Sequence, residues 1–219
     1  LKTNSTASNN VGVGQSALCA NTTGTRNVAV GCGALSSNVD DNDNTAIGFD
    51  ALTVNTGQNN TALGTCALRG NQTANDNTGI GMRSLFTNTT GGGNTAIGFC
   101  ALHANVSGDQ NVAIGLNAMQ DNTTASNNTA VGFRAMDKNT TGTNNVGIGH
   151  DTLRCNTTSD NNTAVGFCAL KTNTAANNTA VGRSALQVNT TGTLNNAIGN
   201  FALCKNTSGG CNTAMGYRS

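Results

Sequence analysis

The chain has 219 residues, of which 10% are charged and 3% aromatic, and it contains neither Pro nor Trp. So few large side chains exclude a compact globular core of the usual kind. The formal net charge is +1 and there is no run of Lys or Arg, so we expect no nucleic-acid partner. No apolar stretch of about 18 residues is available to span a membrane.

A short phrase ending in Gly recurs thirteen times along the whole chain. The marker glycines are Gly14, Gly31, Gly48, Gly64, Gly81, Gly98, Gly115, Gly132, Gly149, Gly166, Gly182, Gly199 and Gly216. Each interval equals that from Gly14 to Gly31, except for two that are shorter by one, and such a fixed period is typical of a solenoid or repeat array. We therefore predict one repeat domain over residues 1–219, with thirteen coils, and number each repeat from its Gly as position 0.

The residues before each Gly predict a short β-strand. Position −4 is always Asn, position −3 is β-branched except at Asn196, and position −2 is Ala or Gly. Position −1 is Val, Ile, Leu or Met, as at Ile97. Because side chains alternate along a strand, positions −3 and −1 share one face and position −2 takes the other. We expect position −1 to point into the core and the Asn row to form a ladder along the axis.

The residues after each Gly predict a corner, a second buried position and a turn. Position +3 is usually small, and position +4 is Leu or Met, as at Leu102, so we place position +4 in the core as well. Asn at position +7, commonly followed by Thr-Thr-Gly, predicts a turn in which Gly takes a positive φ. One repeat holds a strand, a corner and a turn, and it is too short for a helical repeat of about 33 residues. The predicted fold is all-β, a parallel β-solenoid of the β-roll or β-helix kind.

Two copies of the phrase, residues 27–31 and 111–115, resemble the Ser-Val-Ala-Ile-Gly-like head repeats of trimeric autotransporter adhesins. The chain is also similar to the Asn-Thr-Ala-(Ile/Val)-Gly repeats of phage tail fibres and large-virus surface proteins. This resemblance covers the whole chain through short motifs. It implies a β-roll on a cell or particle surface, which in the adhesin heads is left-handed and assembled as a trimer.

The two ends of the sequence meet in phase. Leu1 falls at position +4 and Ser219 at position +3, so the last residue immediately precedes the first in the repeat. Neither end has the atypical polar sequence of a solenoid cap, so we expect another coil to stack on each end. Head-to-tail contacts that do not close produce an open filament. Two other origins would give the same phase relation between the ends: a longer chain cut at its structural repeat, or an arbitrary fragment.

Eight Cys in so polar a chain predict an oxidising environment, outside the cell or on a particle or cell surface. The predicted disulfides are Cys19 with Cys32, Cys155 with Cys168, and Cys204 with Cys211. Cys66 and Cys100 share a phase but lie two coils apart, roughly 9.6 Å from the strand spacing, and a disulfide requires less than about 7 Å between Cα atoms. We expect these two to be free or bonded to another chain.

Asn-x-Ser/Thr glycosylation motifs occur in two rows. Ten lie on the position +7 turn, at Asn4, Asn21, Asn71, Asn88, Asn105, Asn122, Asn139, Asn156, Asn189 and Asn206. Four lie just before the strand, at Asn59, Asn127, Asn161 and Asn177. We expect the position +7 row to project from one edge of the solenoid and, in a eukaryotic producer, to carry glycans.

No catalytic, cofactor or metal site is predicted. His103 and His150 lie in different coils at different phases, without partners for a catalytic set. The acidic cluster Asp40, Asp41 and Asp43 is interpreted as a solvated turn, because the glycine-rich motif of calcium-binding rolls is absent. Aromatic residues recur at position +1, and two interpretations stay open for them: a packing seam with a neighbouring solenoid, or the rim of the coil.

Three functions fit these features. The first is a structural subunit of an extracellular filament that self-associates head to tail, with lateral or trimeric contacts as further possibilities. The second is an adhesive or receptor-binding shaft of a phage, virus or cell-surface fibre. The third is an ice-binding solenoid, suggested by a row of eight Thr at position −3. Val replaces this Thr in four repeats, which favours an inward position and argues against ice binding.

Overall fold

The computed structural model describes residues 6–219, and three-residue β-strands are the regular elements of this part of the chain. The strands are β1 (Val11–Val13), β2 (Val28–Val30), β3 (Thr45–Ile47), β4 (Thr61–Leu63), β5 (Thr78–Ile80), β6 (Thr95–Ile97), β7 (Val112–Ile114), β8 (Thr129–Val131), β9 (Val146–Ile148), β10 (Thr163–Val165), β11 (Thr179–Val181), β12 (Asn196–Ile198) and β13 (Thr213–Met215). Across residues 6–219, the structure contains no helix of the length and apolar character needed to cross a membrane.

The chain forms two compact units. The first, Leu1–Gln110, contains β1 to β6, and the second, Asn111–Ser219, contains β7 to β13. Within each unit, consecutive strands pair in parallel and equivalent repeat positions lie opposite one another, so that Ala29 faces Ala46. The predicted all-β parallel β-solenoid, with thirteen strand-bearing repeats at the predicted spacing, is confirmed.

The two shorter repeats keep the strand register. Thr45 pairs with Thr61 across one of them, and Thr163 pairs with Thr179 across the other. The missing residue is taken from the turn after position +7. Asn21 Nδ2 donates to the carbonyl three residues later, whereas Asn55 Nδ2 donates to the carbonyl only two residues later. The turn therefore absorbs the deletion and the sheet is unaffected.

The interior of each coil is lined by small residues at positions −2 and +3 and by the large residue at position +4. Ala96 and Leu102 are fully buried, as are their equivalents in neighbouring coils. A Cβ added at Gly79, a position −2 glycine, would lie 3.2 Å from Leu68 Cγ. Positions −2 and +4 therefore compete for the same narrow space, and a small residue at −2 leaves room for the Leu.

The prediction that position −1 points inward is wrong. Ile97 is half-buried, and Leu63 at the same position of its coil is 44% exposed. The predicted alternation is present, but the small residue occupies the inner side. So short a coil is too narrow to enclose branched side chains from the strand together with the Leu at position +4, so the strand's large residues face outward.

The corners depend on residues in the left-handed backbone region. In the coil of β6, Cys100 at position +2 has φ 54°, Leu102 at +4 has φ 49°, and Gln110 at −5 of the next coil has φ 56°. The predicted positive φ at the turn glycines is wrong, because Gly91 and its equivalents lie outside this region. The marker glycine, in contrast, does require a positive φ. Gly81 has φ 123°, and a Cβ there would lie 2.5 Å from the Gly98 carbonyl oxygen.

Candidate functional surfaces

The first candidate surface is the outer strand face, which we define as the side chains at positions −3 and −1 of the strands in each unit. Strand alternation aims both rows away from the core, and the strand spacing repeats them about every 4.8 Å. Neither row contains a charged residue. Exposed members include Ile47, Leu63, Ile148 and Ile198, at 38–44% exposure. Each unit thus presents an uncharged, largely aliphatic surface to solvent.

The Thr row lies on this outer face. Its members are Thr45, Thr61, Thr78, Thr95, Thr129, Thr163, Thr179 and Thr213. Within the first unit, Thr61, Thr78 and Thr95 are direct partners on successive strands. The inward placement that argued against ice binding is therefore wrong: in β2 to β12, the buried strand residue is the Ala or Gly between the two outer rows.

Aromatic side chains at position +1 stack along the axis. In the second unit, the His150 ring lies between Phe133, at 4.9 Å between ring centroids, and Phe167, at 5.2 Å. Arg134 and Arg183 lie over the Phe133 and Phe167 rings, at 5.0 and 6.0 Å. These contacts give the position +1 residues a structural role at the rim of the coil, and the packing seam with a second solenoid stays a prediction.

Two Asn rows form hydrogen-bonded ladders inside the coils. At position +7, Asn88 Nδ2 donates to Asn71 Oδ1 at 2.8 Å, and Asn105 Nδ2 donates to Asn88 Oδ1 at 2.7 Å. At position −4, Asn77 Oδ1 accepts from the Asn94 backbone N–H at 2.9 Å. The amides of Asn77 and Asn88 both donate to the Gly91 carbonyl at 2.9 Å. The predicted ladder at position −4 is present, and the sequence interpretation missed the second one.

The expectation that the position +7 Asn row projects into solvent is therefore wrong. The fully buried members are Asn21, Asn71, Asn88, Asn105, Asn122, Asn139, Asn156 and Asn189. Asn206 is partly buried and donates to Asn189 Oδ1 at 3.0 Å, and Asn4 lies outside the described residues. An N-glycan is attached to the Asn Nδ2 atom, and in the folded ladders this atom is buried and hydrogen-bonded. The ladders therefore leave no room for a glycan. The left-handed corner at position +4 turns the Asn inward.

The structure joins none of the eight cysteines, all within residues 6–219, in a disulfide, and the three proposed pairings stay predictions. Cys19 Sγ donates along the axis to the Ser36 carbonyl at 3.2 Å. Cys66 and Cys100, both at position +2, share the left-handed backbone conformation, with φ 57° and 54°. Burial raises the pKa of the Cys100 thiol, with Arg83 opposing the shift, and burial likewise raises the pKa of the Cys168 thiol.

A network of ion pairs follows one corner of the second unit. Lys138 Nζ lies 2.8 Å from Asp121 and 3.9 Å from Asp137. Arg154 Nε lies 3.8 Å from Asp137 and 3.9 Å from Asp151, which Lys171 approaches to 3.1 Å. Burial is the main cause of the raised pKa of Asp137, and Lys138 opposes it. The sequence interpretation missed this network, although opposite charges one repeat apart, as in Asp121 and Lys138, would have signalled part of it.

The remaining candidate residues have ordinary partners. Arg26 forms a bidentate ion pair with Asp43, at 2.6 and 2.7 Å. This pair lowers the pKa of Asp43, whereas burial raises the pKa of Asp41. His103 stacks on Phe86 at 5.2 Å in the first unit, while His150 belongs to the second. Within residues 6–219, no group of three or more His, Cys, Asp or Glu side chains is placed to hold a metal ion.

Comparison of the chain with protein-family models, with curated proteins and with solved structures gives no match.

Proposed function

We propose that this chain is a structural subunit of an extracellular filament or fibre, in which coils of separate copies stack along the axis. The observation that carries the proposal is the repeated bonding between coils within each unit. Each described coil presents backbone donors and acceptors to the coil before it, and a complementary set of donors and acceptors to the coil after it. An edge that is complementary to its neighbour in the chain is equally complementary to the edge of another copy.

The chemistry of one stacking step illustrates this complementarity. Between the coils of β5 and β6, the Thr78 N–H donates to the Asn94 carbonyl at 2.8 Å, and the Gly98 N–H donates to the Ile80 carbonyl at 2.8 Å. The interior contributes the Asn88 to Asn105 ladder bond at 2.7 Å. Backbone bonds, amide bonds and packing of the position +4 side chains thus act together. The same set is available to any two coils that meet in register.

Within residues 6–219, the first and last strands each have one edge with no strand beside it, and such edges favour stacking. β1 pairs with β2, and β13 pairs with β12, each through a single described neighbour. Val13 and Met215 on these strands are 56% and 73% exposed. An exposed strand edge is a template for pairing with another chain unless it is protected by charge, Pro or a covering element. Neither strand carries a charged residue or Pro.

The outer strand face supports lateral association as a further level of assembly. Parallel sheets are normally covered on both faces, and extended exposed apolar surfaces commonly mark protein interfaces. Lateral or trimeric packing through this face would cover it. Placement outside the cell or on a particle surface is part of the proposal. This placement is supported by the eight Cys in a polar chain and by the resemblance to adhesin heads and viral fibres.

The axial step can be tested with a substitution at the free edge of β13. Asn196 N–H donates to the Asn212 carbonyl, whereas the equivalent Thr213 N–H points to the position of a following coil. Thr213→Pro removes this donor and leaves the bonds to β12 in place, and Thr213→Val is the matched control that retains the N–H.

For the purified full chain, we expect light scattering to show mass that grows with protein concentration, and electron microscopy to show filaments. Thr213→Pro should shift this growth to higher concentration, and Thr213→Val should leave it unchanged. A wild-type chain that stays monomeric at all concentrations would refute the filament proposal. Equal assembly of the two variants would refute axial stacking through β13.

An adhesive or receptor-binding shaft remains the alternative that the resemblance to fibre repeats supports. It shares the stacked-coil architecture and differs in requiring a binding partner. In a binding assay with labelled chain and intact cells, specific retention that an excess of unlabelled chain reduces would favour the shaft over the filament.

Ice binding is the second candidate function, and the outward Thr row favours it. The outer strand face combines Thr hydroxyls and methyl groups with aliphatic side chains at a regular spacing and without charge. Partition of the chain into slowly growing ice tests this role. Thr129→Lys places a charge on the face, and Thr124→Lys places it on an exposed turn as the control. We expect only Thr129→Lys to reduce incorporation, and exclusion of the wild-type chain from ice would reject this function.

A further inference from the structure

The four glycosylation motifs that precede strands differ from the turn motifs in their exposure. Asn59, Asn127, Asn161 and Asn177 occupy position −5, and all four are exposed. Their φ angles of 59°, 61°, 58° and 62° place each in the left-handed region, where the backbone turns into the strand. The same local conformation therefore presents four separate side chains to solvent.

The neighbouring Asn shows how sharply the corner separates the two environments. Asn128, at position −4, is 1% exposed, and its Nδ2 donates to the Gly142 carbonyl at 2.9 Å. Asn127, one residue earlier, is exposed. Asn59 makes one exposed side-chain bond, from its Nδ2 to Asp76 Oδ1 at 3.1 Å. A bond at the surface is readily exchanged for water, so it does not tie this amide to the fold.

The third residue of each motif is partly exposed. Thr61, Thr129, Thr163 and Thr179 are the first residues of β4, β8, β10 and β11, and their side chains belong to the outer strand face. The backbone N–H of Thr129 is bonded to the Asn145 carbonyl at 2.9 Å, so the strand begins immediately after the motif. An attached sugar would leave the coil interior and the strand pairing unchanged.

We propose that Asn59, Asn127, Asn161 and Asn177 are the N-glycan attachment sites of the folded chain. The donor is a lipid-linked oligosaccharide pyrophosphate. The Asn Nδ2 forms a bond to the anomeric carbon, the bond from that carbon to the pyrophosphate oxygen breaks, and the amide loses one proton. No oxidant or reductant is required. This modification does not depend on filament formation.

The buried turn motifs are excluded from the folded product for a physical reason. A glycan on Asn88 would hold its amide outside the coil and remove the bonds to Asn71 and Gly91. It would also remove the ladder acceptor of the Asn105 amide, which would keep its bond to the Gly108 carbonyl. Chains modified at this row therefore fail to close the ladder, and the folded, secreted population carries its sugars at position −5.

The experiment uses the full chain, secreted from eukaryotic cells with an added flexible tail that contains one glycosylation motif. Enzymatic removal of the glycans in heavy-oxygen water, followed by peptide mass mapping, identifies each occupied Asn. We expect occupancy at the four position −5 sites and at the tail. Unoccupied position −5 sites on chains whose tail is modified would overturn the proposal, as would glycans on the buried turn row of the folded product.

Matched variants sharpen the test. Thr129→Val removes the Asn127 motif and should lose one oligosaccharide, whereas Thr90→Val removes the Asn88 motif and should lose none. Asn144 is an exposed position −5 residue with φ 56°, but Val146 in place of Thr gives it no motif. Val146→Thr should therefore add one oligosaccharide at Asn144. A mass loss with Thr90→Val, or no gain with Val146→Thr, would contradict the assignment.

Discussion

Two leucines in one coil provide a direct test of which strand face lies inside. Leu63 at position −1 is 44% exposed, and Leu68 at position +4 is fully buried. Leu63→Ala and Leu68→Ala remove the same atoms from two sides of the same repeat. Leu68 has φ 50°, and because Ala retains the Cβ, this substitution leaves the backbone cost of the left-handed conformation nearly unchanged.

The expected magnitudes differ by a factor of about three. A buried Leu→Ala change costs about 2 to 5 kcal/mol, because it loses transfer free energy and leaves a cavity. Leu68 lies against the backbone of the next strand at Gly79, which restricts collapse into that cavity. Burying a whole Leu is worth about 1.5 to 3 kcal/mol, and Leu63 is buried over about half of its surface, so its truncation should cost roughly 1 kcal/mol.

Urea unfolding followed by circular dichroism measures both costs. The two variants alter one coil, so any departure from two-state behaviour affects them alike. The measurement is repeated at two protein concentrations, because lateral assembly through the outer strand face would make the Leu63→Ala cost grow with concentration. A cost for Leu63→Ala equal to or above that of Leu68→Ala at low concentration would refute the inside-outside assignment.

Three further outcomes are expected. Asn88→Ala should lower the free energy of unfolding by about 2 to 4 kcal/mol in urea titrations, because it leaves buried amide partners unpaired. Burial is the main cause of the raised pKa of Asp137 in the folded chain, so ionisation of this carboxyl disfavours the folded state. The wild-type chain should therefore lose stability relative to Asp137→Asn as pH rises from the ordinary pKa of Asp through the raised one. A gain in stability over this range would contradict the burial argument. Under reducing conditions at neutral pH, iodoacetamide should modify exposed Cys32 faster than Cys100, whose thiol pKa burial raises.

Much of the fold could be predicted from the sequence because its signals are local and repeated. The β-branched residues before each marker glycine predict strands at the observed positions, and Leu or Met at position +4 predicts the buried row. The marker Gly81 also has a local cause in its left-handed backbone and its contact with Gly98. Each of these features depends on residue type and spacing alone.

The candidate surfaces were harder to predict because they depend on where side chains point. Asn88 belongs to a motif that usually marks an exposed turn, yet the left-handed Leu85 three residues earlier turns it into the interior. The ion pairs of Lys138 and Arg154 depend on contacts between coils and on the rotamers of long side chains. No periodicity in the chain specifies those directions.

The sequence by itself determined the period, the parallel stacking of coils and the alternation of the strand. The alternation of side chains along a strand is symmetric, however, and does not determine which of the two strand faces is enclosed by the coil. The tertiary structure decided this point: the narrow coil admits Ala96 and Leu102 to its interior and leaves Thr95 and Ile97 on the outer side. The same closure buries the Asn of position +7 and exposes the Asn of position −5. Enclosed volume, which only the closed coil defines, is the physical reason for both results.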